Sequence, residues 1–379
     1  MWAHDSKISR EKIPLYDVPI PAGAGPELER LLESGQLAYG PNVSEFEESL
    51  GQYLGNPFTI ATGDVSTSIA MSLYMAGVRA GDEVVTSPMA CLSTTVPIVN
   101  LQATARWCDV DPVSGNMDPV DLRAQISKKT KAILVYHWAG NPADLEGIYE
   151  VAREHKLAVV EDASEALGSE YGGAKIGSTG SDYTVFSFYP NKQLTTGEGS
   201  AIAFRSAGNY EQGRWLRRYG IHRPTFRDAL GEIDPRSDIP VAGFNNYMGS
   251  MAATLGLMQL PMLPLAVAAF RRNGRFFDTA LSQVSGLDIV KKPPKADPAP
   301  WVYTFLADRR DQLLHHLRDR GIEASKVHLR NDQYSCFGPP QRELPGVGSF
   351  AERTLSIPCG PWLDDNNRSY IVQTIAQGW

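Results

Sequence analysis

Two hydrophobic periods alternate along the first half of the chain. "VSEFEESLGQYLG" places Phe46, Leu50 and Leu54 four residues apart, the spacing of an amphipathic helix. "FTIAT" follows as a short run, then "STSIAMSLYMAG" at helical spacing and "DEVVT" as a second run. Strand-like "ARWCDV" and "KAILVY" are separated by helical "PVDLRAQIS", and helical "ADLEGIYEVAREHK" leads into "AVVED", "YTVFSF" and "AIAF". Short apolar runs alternating with helices predict crossover units, and so an α/β fold with a mostly parallel sheet covered on both faces. Ligands of such sheets bind beyond the carboxyl ends of the strands. Asp162 and Ser187 close two of those runs.

After Phe204 the alternation stops. A helical stretch, "YEQGRWLRRYG", leads into a loop rich in Pro, Asp and Arg up to Ala242. A long helical region runs from about Ser250 to Ser282, with a kink expected at Pro261 and Pro264. "KKPPKADPAP" reads as an exposed linker, and "WVYTFLA", helical "DQLLHHLRDRG" and a last strand and helix form a second unit. The expected organisation is a large cofactor-binding domain over residues 14–249. Residues 250–379 would supply a linking helix and a smaller C-terminal α/β domain.

Composition narrows the function classes. The 379 residues are 42% hydrophobic and 21% charged, enough for one large domain and a smaller one. Net charge is −7 without a basic block, so no nucleic-acid partner is expected. The start, "MWAHDSKISREKIP", lacks the apolar core of a signal peptide. The longest nearly apolar run, "LPMLPLAVAAF", falls short of the ~20 residues of a spanning helix, so no membrane is expected either. Cys91, Cys108, Cys336 and Cys359 lie far apart without a C-x-x-C pair. That pattern predicts a reduced, cytoplasmic protein with neither a disulfide framework nor a metal site.

One lysine stands out by its place. In "SFYPNKQLTTGEGS", Lys192 puts a lone amine on a turn between two strand-like runs. Most lysines are simply solvated. Yet Asp162 ends a neighbouring strand, and Ser66 and Thr67 open a helix. Pyridoxal phosphate needs three such groups: an amine to form a Schiff base, and a carboxylate to keep its ring nitrogen protonated so the ring acts as an electron sink. The third is a helix start with hydroxyls for its phosphate. Spacing alone leaves this beside the plainer reading of a solvated lysine.

The block "VVEDASEALGSEYGGAKIGSTGSDYTVFSFYPNKQLTTGEGSAIAF" resembles the signature of the DegT/StrS-like sugar aminotransferases, a pyridoxal-phosphate family of fold type I. "GPNVSEFEESLGQYLG", "AGDEVVTSPM", "DVDPVSGNMDP", "KTKAILVYHWAGNPADLEGI" and "GFNNYMGSMAATLGLMQL" extend the likeness from about Ile13 towards the C-terminus. The last eighty residues carry it least. The resemblance implies Lys192 as Schiff-base lysine and proton shuttle, Asp162 on the pyridine nitrogen and Ser187 on the phosphate. It also implies that Asn245 of "GFNNYM" binds the phosphate held by the neighbouring subunit, hence a homodimer with shared active sites. The implied reaction moves an amine from an amino acid, with glutamate the expected donor, to a nucleotide-linked keto-hexose in amino-sugar biosynthesis for lipopolysaccharide or antibiotics.

The departures from the family pattern are specific. Where members commonly read Ser-Gly-Thr, this chain has Asp64-Val65-Ser66. A carboxylate beside a phosphate is unfavourable, so Asp64 is expected to cap the helix instead. Cys91 stands where an aromatic residue commonly stacks on the cofactor, and is either a small buried residue or, given a basic neighbour, a reactive thiol. Glu165 replaces a common Gln beside the cofactor's phenolic oxygen, as in the perosamine-synthase-like branch. Two anions there would raise its pKa; otherwise it is a solvated helix acid. Trp138, after His137, either lines the substrate cleft or belongs to the core. Arg330 of "HLRND" either grips a diphosphate in bidentate fashion or forms a surface ion pair. "GAG" at 23–25 lacks a preceding strand and makes a poor phosphate loop. An aminocyclitol aminotransferase, a sugar dehydratase and a non-catalytic regulatory protein of the same fold remain alternatives; Lys192 counts against the dehydratase, where His replaces it.

Overall fold

The apolar runs become strands in the computed structural model, which describes residues 12–18 and 20–379. In chain order they are β1 (Thr59–Thr62), β2 (Glu83–Thr86), β3 (Thr104–Trp107), β4 (Thr130–Tyr136), β5 (Ala158–Asp162), β6 (Glu170–Tyr171) and β7 (Ala174–Lys175). There follow β8 (Tyr183–Ser187), β9 (Ser200–Phe204), β10 (Leu287–Ile289), β11 (Ala296–Asp297), β12 (Tyr303–Ala307) and β13 (Thr354–Ile357). Seven of them form one sheet in the order β1-β9-β8-β5-β4-β2-β3. Its neighbours are parallel except around β9, which runs antiparallel to both β1 and β8.

The reversal has a local cause. A parallel neighbour needs a crossover of a dozen or more residues, usually a helix, whereas an antiparallel one needs only a loop. The segment 188–199 contains no helix and returns directly from β8 to β9. Lys192 sits on that return.

Helices cover both faces, so the strands are apolar on both sides. Along β4, Ala132, Leu134 and Tyr136 enter one core while Ile133 and Val135 enter another. Val160 joins the first face, and the strand's period of two carries Asp162 there as well. The helices Pro41–Leu54, Val65–Met75, Pro119–Gln125 and Leu145–His155 match the helical spacing. The helix Leu92–Asn100 does not show in that spacing, because Pro97 and the β-branched Thr94, Thr95 and Val96 are weak helix formers. Burial of Thr94, Thr95, Pro97 and Ile98 fixes it anyway.

The helix Ser250–Gln259 passes through a 3-10 turn, Leu260–Met262, into the helix Leu263–Leu281, so the break falls at the two prolines. This apolar stretch is long enough to cross a membrane by length and composition, yet 56% of its most apolar window is buried inside the chain. Leu263 and Val267 pack into the core of the large sheet, while Phe270, Phe277 and Leu281 pack into a second core. That second core lies on the antiparallel sheet β10-β12-β13. The start of the described chain joins it: Ile13 N–H donates to Gly321 O at 2.7 Å and Leu15 N–H to Glu323 Oε2 at 2.9 Å.

Candidate active site

The carboxyl ends of β4, β5 and β8 bring Tyr136, Asp162 and Ser187 to one edge of the sheet, Tyr136 and Asp162 being register partners. Asp162 is 1% exposed. Thr94 Oγ1 donates to its Oδ2 at 2.6 Å and the Ser164 N–H to its Oδ1 at 2.9 Å. No ion pair reaches it among the described residues. Burial therefore pushes its carboxyl above the ordinary value, although the hydrogen bonds from Ser164 and Thr94 work the other way and the Glu165 charge adds to the rise. This is a buried acid without a counter-charge.

Lys192 faces a different carboxylate. Its Nζ lies 3.5 Å from Glu165 Oε1 and 3.6 Å from the centroid of the Trp301 indole. His328 Nε2 approaches the same Oε1 at 3.0 Å, and the Ala139 N–H donates to Oε2 at 2.9 Å. Burial by itself would raise the Glu165 carboxyl, but the Lys192 charge and the His328 hydrogen bond outweigh it, and the group is held below its ordinary value. Without a facing anion, its oxygen is shared by Lys192 and His328. Nor is Glu165 a solvated helix acid, since it lies in a turn and is 1% exposed.

Backbone geometry holds this cluster. Ala139 and Val327 both have left-handed backbones, φ 53° and 63°. For a β-branched residue that conformation is an outlier, of the kind that persists only where the surroundings over-determine it. The fixing is visible. Asn331, 1% exposed, donates from Nδ2 to Ala90 O (3.0 Å) and Thr95 Oγ1 (2.8 Å), and its N–H donates to Pro88 O (2.9 Å). The segment carrying His328 is thus pinned beside Cys91. Gly140 is a second constraint, for a Cβ there would lie 2.6 Å from Glu165 O and 2.8 Å from Ala299 O.

The phosphate-side residues fall as follows. Asp64 is the N-cap of Val65–Met75, its Oδ1 accepting the Thr67 N–H at 2.8 Å, as the cap expectation required. Ser66 and Thr67 are half-buried in that first turn. Asn246, which sequence reasoning missed, accepts from the Gly63 and Asp64 N–H groups at 2.9 and 3.0 Å and donates to Ser68 Oγ at 3.0 Å. Its neighbour Asn245 is exposed. Ser187 is buried, its Oγ accepting the Tyr189 N–H at 3.3 Å. Cys91 is half-buried at the start of Leu92–Asn100.

Two substrate candidates sit away from open solvent or already partnered. Trp138 is 1% exposed in the core, edge-on to Phe350, Tyr136 and His328, so it lies beneath His328 and not on a cleft wall. Arg330 forms a bidentate pair with Asp332, the Nε–Oδ1 bond being 2.8 Å. His137 serves the opposite face of the sheet: its Nε2 meets Glu161 Oε2 at 3.2 Å, and its Nδ1 accepts the Ala143 N–H at 3.1 Å. No group of three or more His, Cys, Asp or Glu side chains suited to a metal occurs among the described residues.

The residues fit pyridoxal phosphate on two observations. Asp162 is a buried carboxylate lacking a cation, and the buried Tyr136 hydroxyl and Ser164 Oγ lean only on the carboxylates of Glu165 and Asp162, without a hydrogen bond of normal geometry. The carboxylate calls for a positively charged neighbour and the hydroxyls for a polar one. Burial, then the charges of Glu165 and Asp162, keep the Tyr136 phenol protonated, well above its ordinary value.

A largely parallel sheet with one reversed strand, and an amine on the reversing loop, is the architecture of the fold-type-I pyridoxal-phosphate transferases. Over residues 23–376 the chain matches, and belongs to, the DegT/DnrJ/EryC1/StrS aminotransferase family. Its members depend on pyridoxal phosphate and act as sugar aminotransferases, so the class of enzyme expected from the signature block stands. GDP-perosamine synthase of Caulobacter vibrioides is 33% identical over 327 residues, 83% of this chain and 85% of its own length. The dTDP-3-amino-3,4,6-trideoxy-alpha-D-glucose transaminase of Streptomyces venezuelae is 27% identical over 98% of this chain and 97% of its own. The crystal structure of a sugar aminotransferase from Micromonospora echinospora superposes with a TM-score of 0.91 at 33% identity, covering 97% of this chain and all of that one.

Sequence reasoning missed Thr94, Asn246, His328 and Trp301. Two signals were present: the hydroxyl run "STT" after Cys91, and the doubled Asn245-Asn246. In an extended segment neighbours point to opposite sides, so one of two asparagines turns inward.

Proposed function

We propose that this enzyme transfers the amino group of an amino acid, glutamate in our reading, to a nucleotide-linked keto-hexose. The observation that carries it is the pairing of an uncompensated buried acid, Asp162, with a shielded amine, Lys192, at one sheet edge. When bound, the cofactor supplies an electron sink for the pair left on the donor's alpha carbon once its proton is removed. Asp162 would hold the ring nitrogen protonated. Ser187 and the capped helix start at Ser66 and Thr67 would hold the phosphate. Lys192 would hold the cofactor through its amine and, once freed by the donor, would take the alpha proton on Nζ and give it up again as a general acid. Glu165, kept ionised, orients that amine through Oε1. On the keto-sugar the same lysine moves the proton in the opposite sense.

The active unit in this reading is a homodimer in which Asn245 completes the partner's site. Leu92, Tyr189, Tyr219 and Met251 support it, being large apolar residues 42–50% exposed on a single chain, with Leu92 next to Cys91 and the Tyr189 N–H bonded to Ser187 Oγ. The four free cysteines suit a reducing compartment such as the cytoplasm. Arg330 would meet the substrate diphosphate only by exchanging Asp332 for it.

Two measurements test the reading together. Borohydride should trap the cofactor on Lys192, shown by peptide mapping. Mass spectrometry of products from a panel of keto-sugar nucleotides with glutamate should show the mass of an amine replacing a ketone. A label on another lysine, or no aminated product from any member, would overturn it.

A further inference from the structure

Trp301 is held at its backbone, its indole N–H and its ring face. Its backbone N–H donates to Ala139 O at 2.9 Å. Its indole N–H donates to the carbonyl of Asn191, the residue before Lys192. Tyr16 stacks on it, with centroids 4.8 Å apart and planes 18° from parallel. Lys192 Nζ lies 3.6 Å from the indole centroid. A ring stacked on one face leaves no space there for an ammonium at that height, so the amine occupies the other face. The residue is 3% exposed, so little water screens the contact.

Packing alone does not ask for this arrangement. Any aliphatic wall would close the core behind the loop, but only an aromatic face attracts a cation. Tying the ring edge to the loop that carries the lysine also keeps face and amine in register. We propose that Trp301, braced by Tyr16, is a positioning residue for Lys192: its indole face receives the protonated amine whenever that amine is released from the cofactor. The inference rests on the reading of Lys192 given above. In the transfer concerned, the C–H bond of the donor's alpha carbon breaks, an N–H bond forms on Nζ, and the positive charge appears beside the indole. Glu165 meets the same ammonium at 3.5 Å. His328, Tyr136 and Asp162 are the other titratable groups around that carboxylate, and the Glu165 charge also bears on Tyr16.

The test uses Trp301→Leu, Trp301→Phe, Tyr16→Leu and Tyr16→Phe, each checked for folding by thermal melting. In the cofactor-free protein at fixed pH, acetylation of Lys192 is followed by peptide mass spectrometry against exposed Lys291. Loss of the aromatic face in Trp301→Leu should speed Lys192 labelling by about two- to thirtyfold. Trp301→Phe should restore most of the protection, Tyr16→Leu should give a smaller increase, and Tyr16→Phe none. With cofactor and α-deuterated glutamate, the isotope effect on the donor half-reaction should rise in Trp301→Leu while the donor KM stays within about twofold. Labelling and isotope effect both unchanged in Trp301→Leu would overturn the proposal. So would Trp301→Phe behaving like Trp301→Leu, which would assign the effect to the indole N–H bond. If Trp301→Leu fails to fold, an unchanged labelling rate in Tyr16→Leu overturns it instead. Borohydride trapping at another lysine would sink the catalytic reading alone, because the labelling contrast is measured without cofactor.

Discussion

Replacing Asp162 with asparagine should stabilise the cofactor-free protein and weaken the hold of the cofactor. The amide keeps both hydrogen bonds, accepting the Ser164 N–H and donating to a rotated Thr94 hydroxyl, so these contributions nearly cancel. What remains is the cost of a buried carboxylate charge without a counter-ion, about 1–3 kcal/mol. The folded protein raises the Asp162 pKa, so it binds this proton more tightly than the unfolded chain does. Stability is therefore lost as pH rises from about 4 through the raised folded value, and stays lost above it. The variant has no such loss. For 379 residues the melting entropy is about 0.8 kcal/mol per degree, so at neutral pH cofactor-free Asp162→Asn should melt about 1–4 °C above wild type. Below that window the two curves should converge. With saturating cofactor the order should reverse, because only the carboxylate gains a cation, and turnover should fall steeply while cofactor still binds. Calorimetry across pH, with and without cofactor, reads all of this. A variant less stable than wild type at every pH without cofactor, or stabilised equally by cofactor, would refute the reasoning.

Asp64→Ala should cost about 1 kcal/mol of stability through loss of the cap, whereas Asp64→Ser should keep the cap and bind cofactor at least as tightly as wild type; melting curves and equilibrium dialysis decide. Glu165→Gln should bind cofactor, with the pH midpoint of its visible absorbance moved down by about one to three units once the negative charge beside the amine is gone. A titration superimposable on wild type would contradict the contact with Lys192. Mixed Lys192→Ala and Asn245→Ala chains should recover activity beyond either parent, since some hybrid sites carry both native residues. No recovery after verified subunit exchange would exclude a role for Asn245 across the interface.

The parallel sheet was legible because fully buried strands write themselves as unbroken apolar runs, and the position of Lys192 followed from two such runs with no helix between them. Asp64 was legible too, since a cap is a local event spanning four residues. His328 and Trp301 were not. Each reaches Glu165 or Lys192 over more than a hundred residues of chain, and its aim is set by contacts that no local period records. The left-handed turn at Val327 is the sharpest instance: a β-branched residue gives no sequence cue for that conformation, which is held by the Asn331 amide pinned near Cys91. Arg330, three residues on, drew notice by its charge and is engaged by Asp332.

Synthesis of the chain runs from one end to the other, and the bonds of Ile13 and Leu15 to Gly321 and Glu323 reach nearly across its whole length. The last strand of the seven-stranded sheet ends at Phe204, about 120 residues before those partners, an interval of about 6–24 s on the ribosome. During that interval a nascent chain can complete the sheet and the loop bearing Lys192, while Trp301 and His328 arrive late and Tyr16 waits for its tether. The amine is therefore made first and covered last. Slower translation of the final quarter lengthens the time in which reactive aldehydes in the surroundings meet that lysine unguarded.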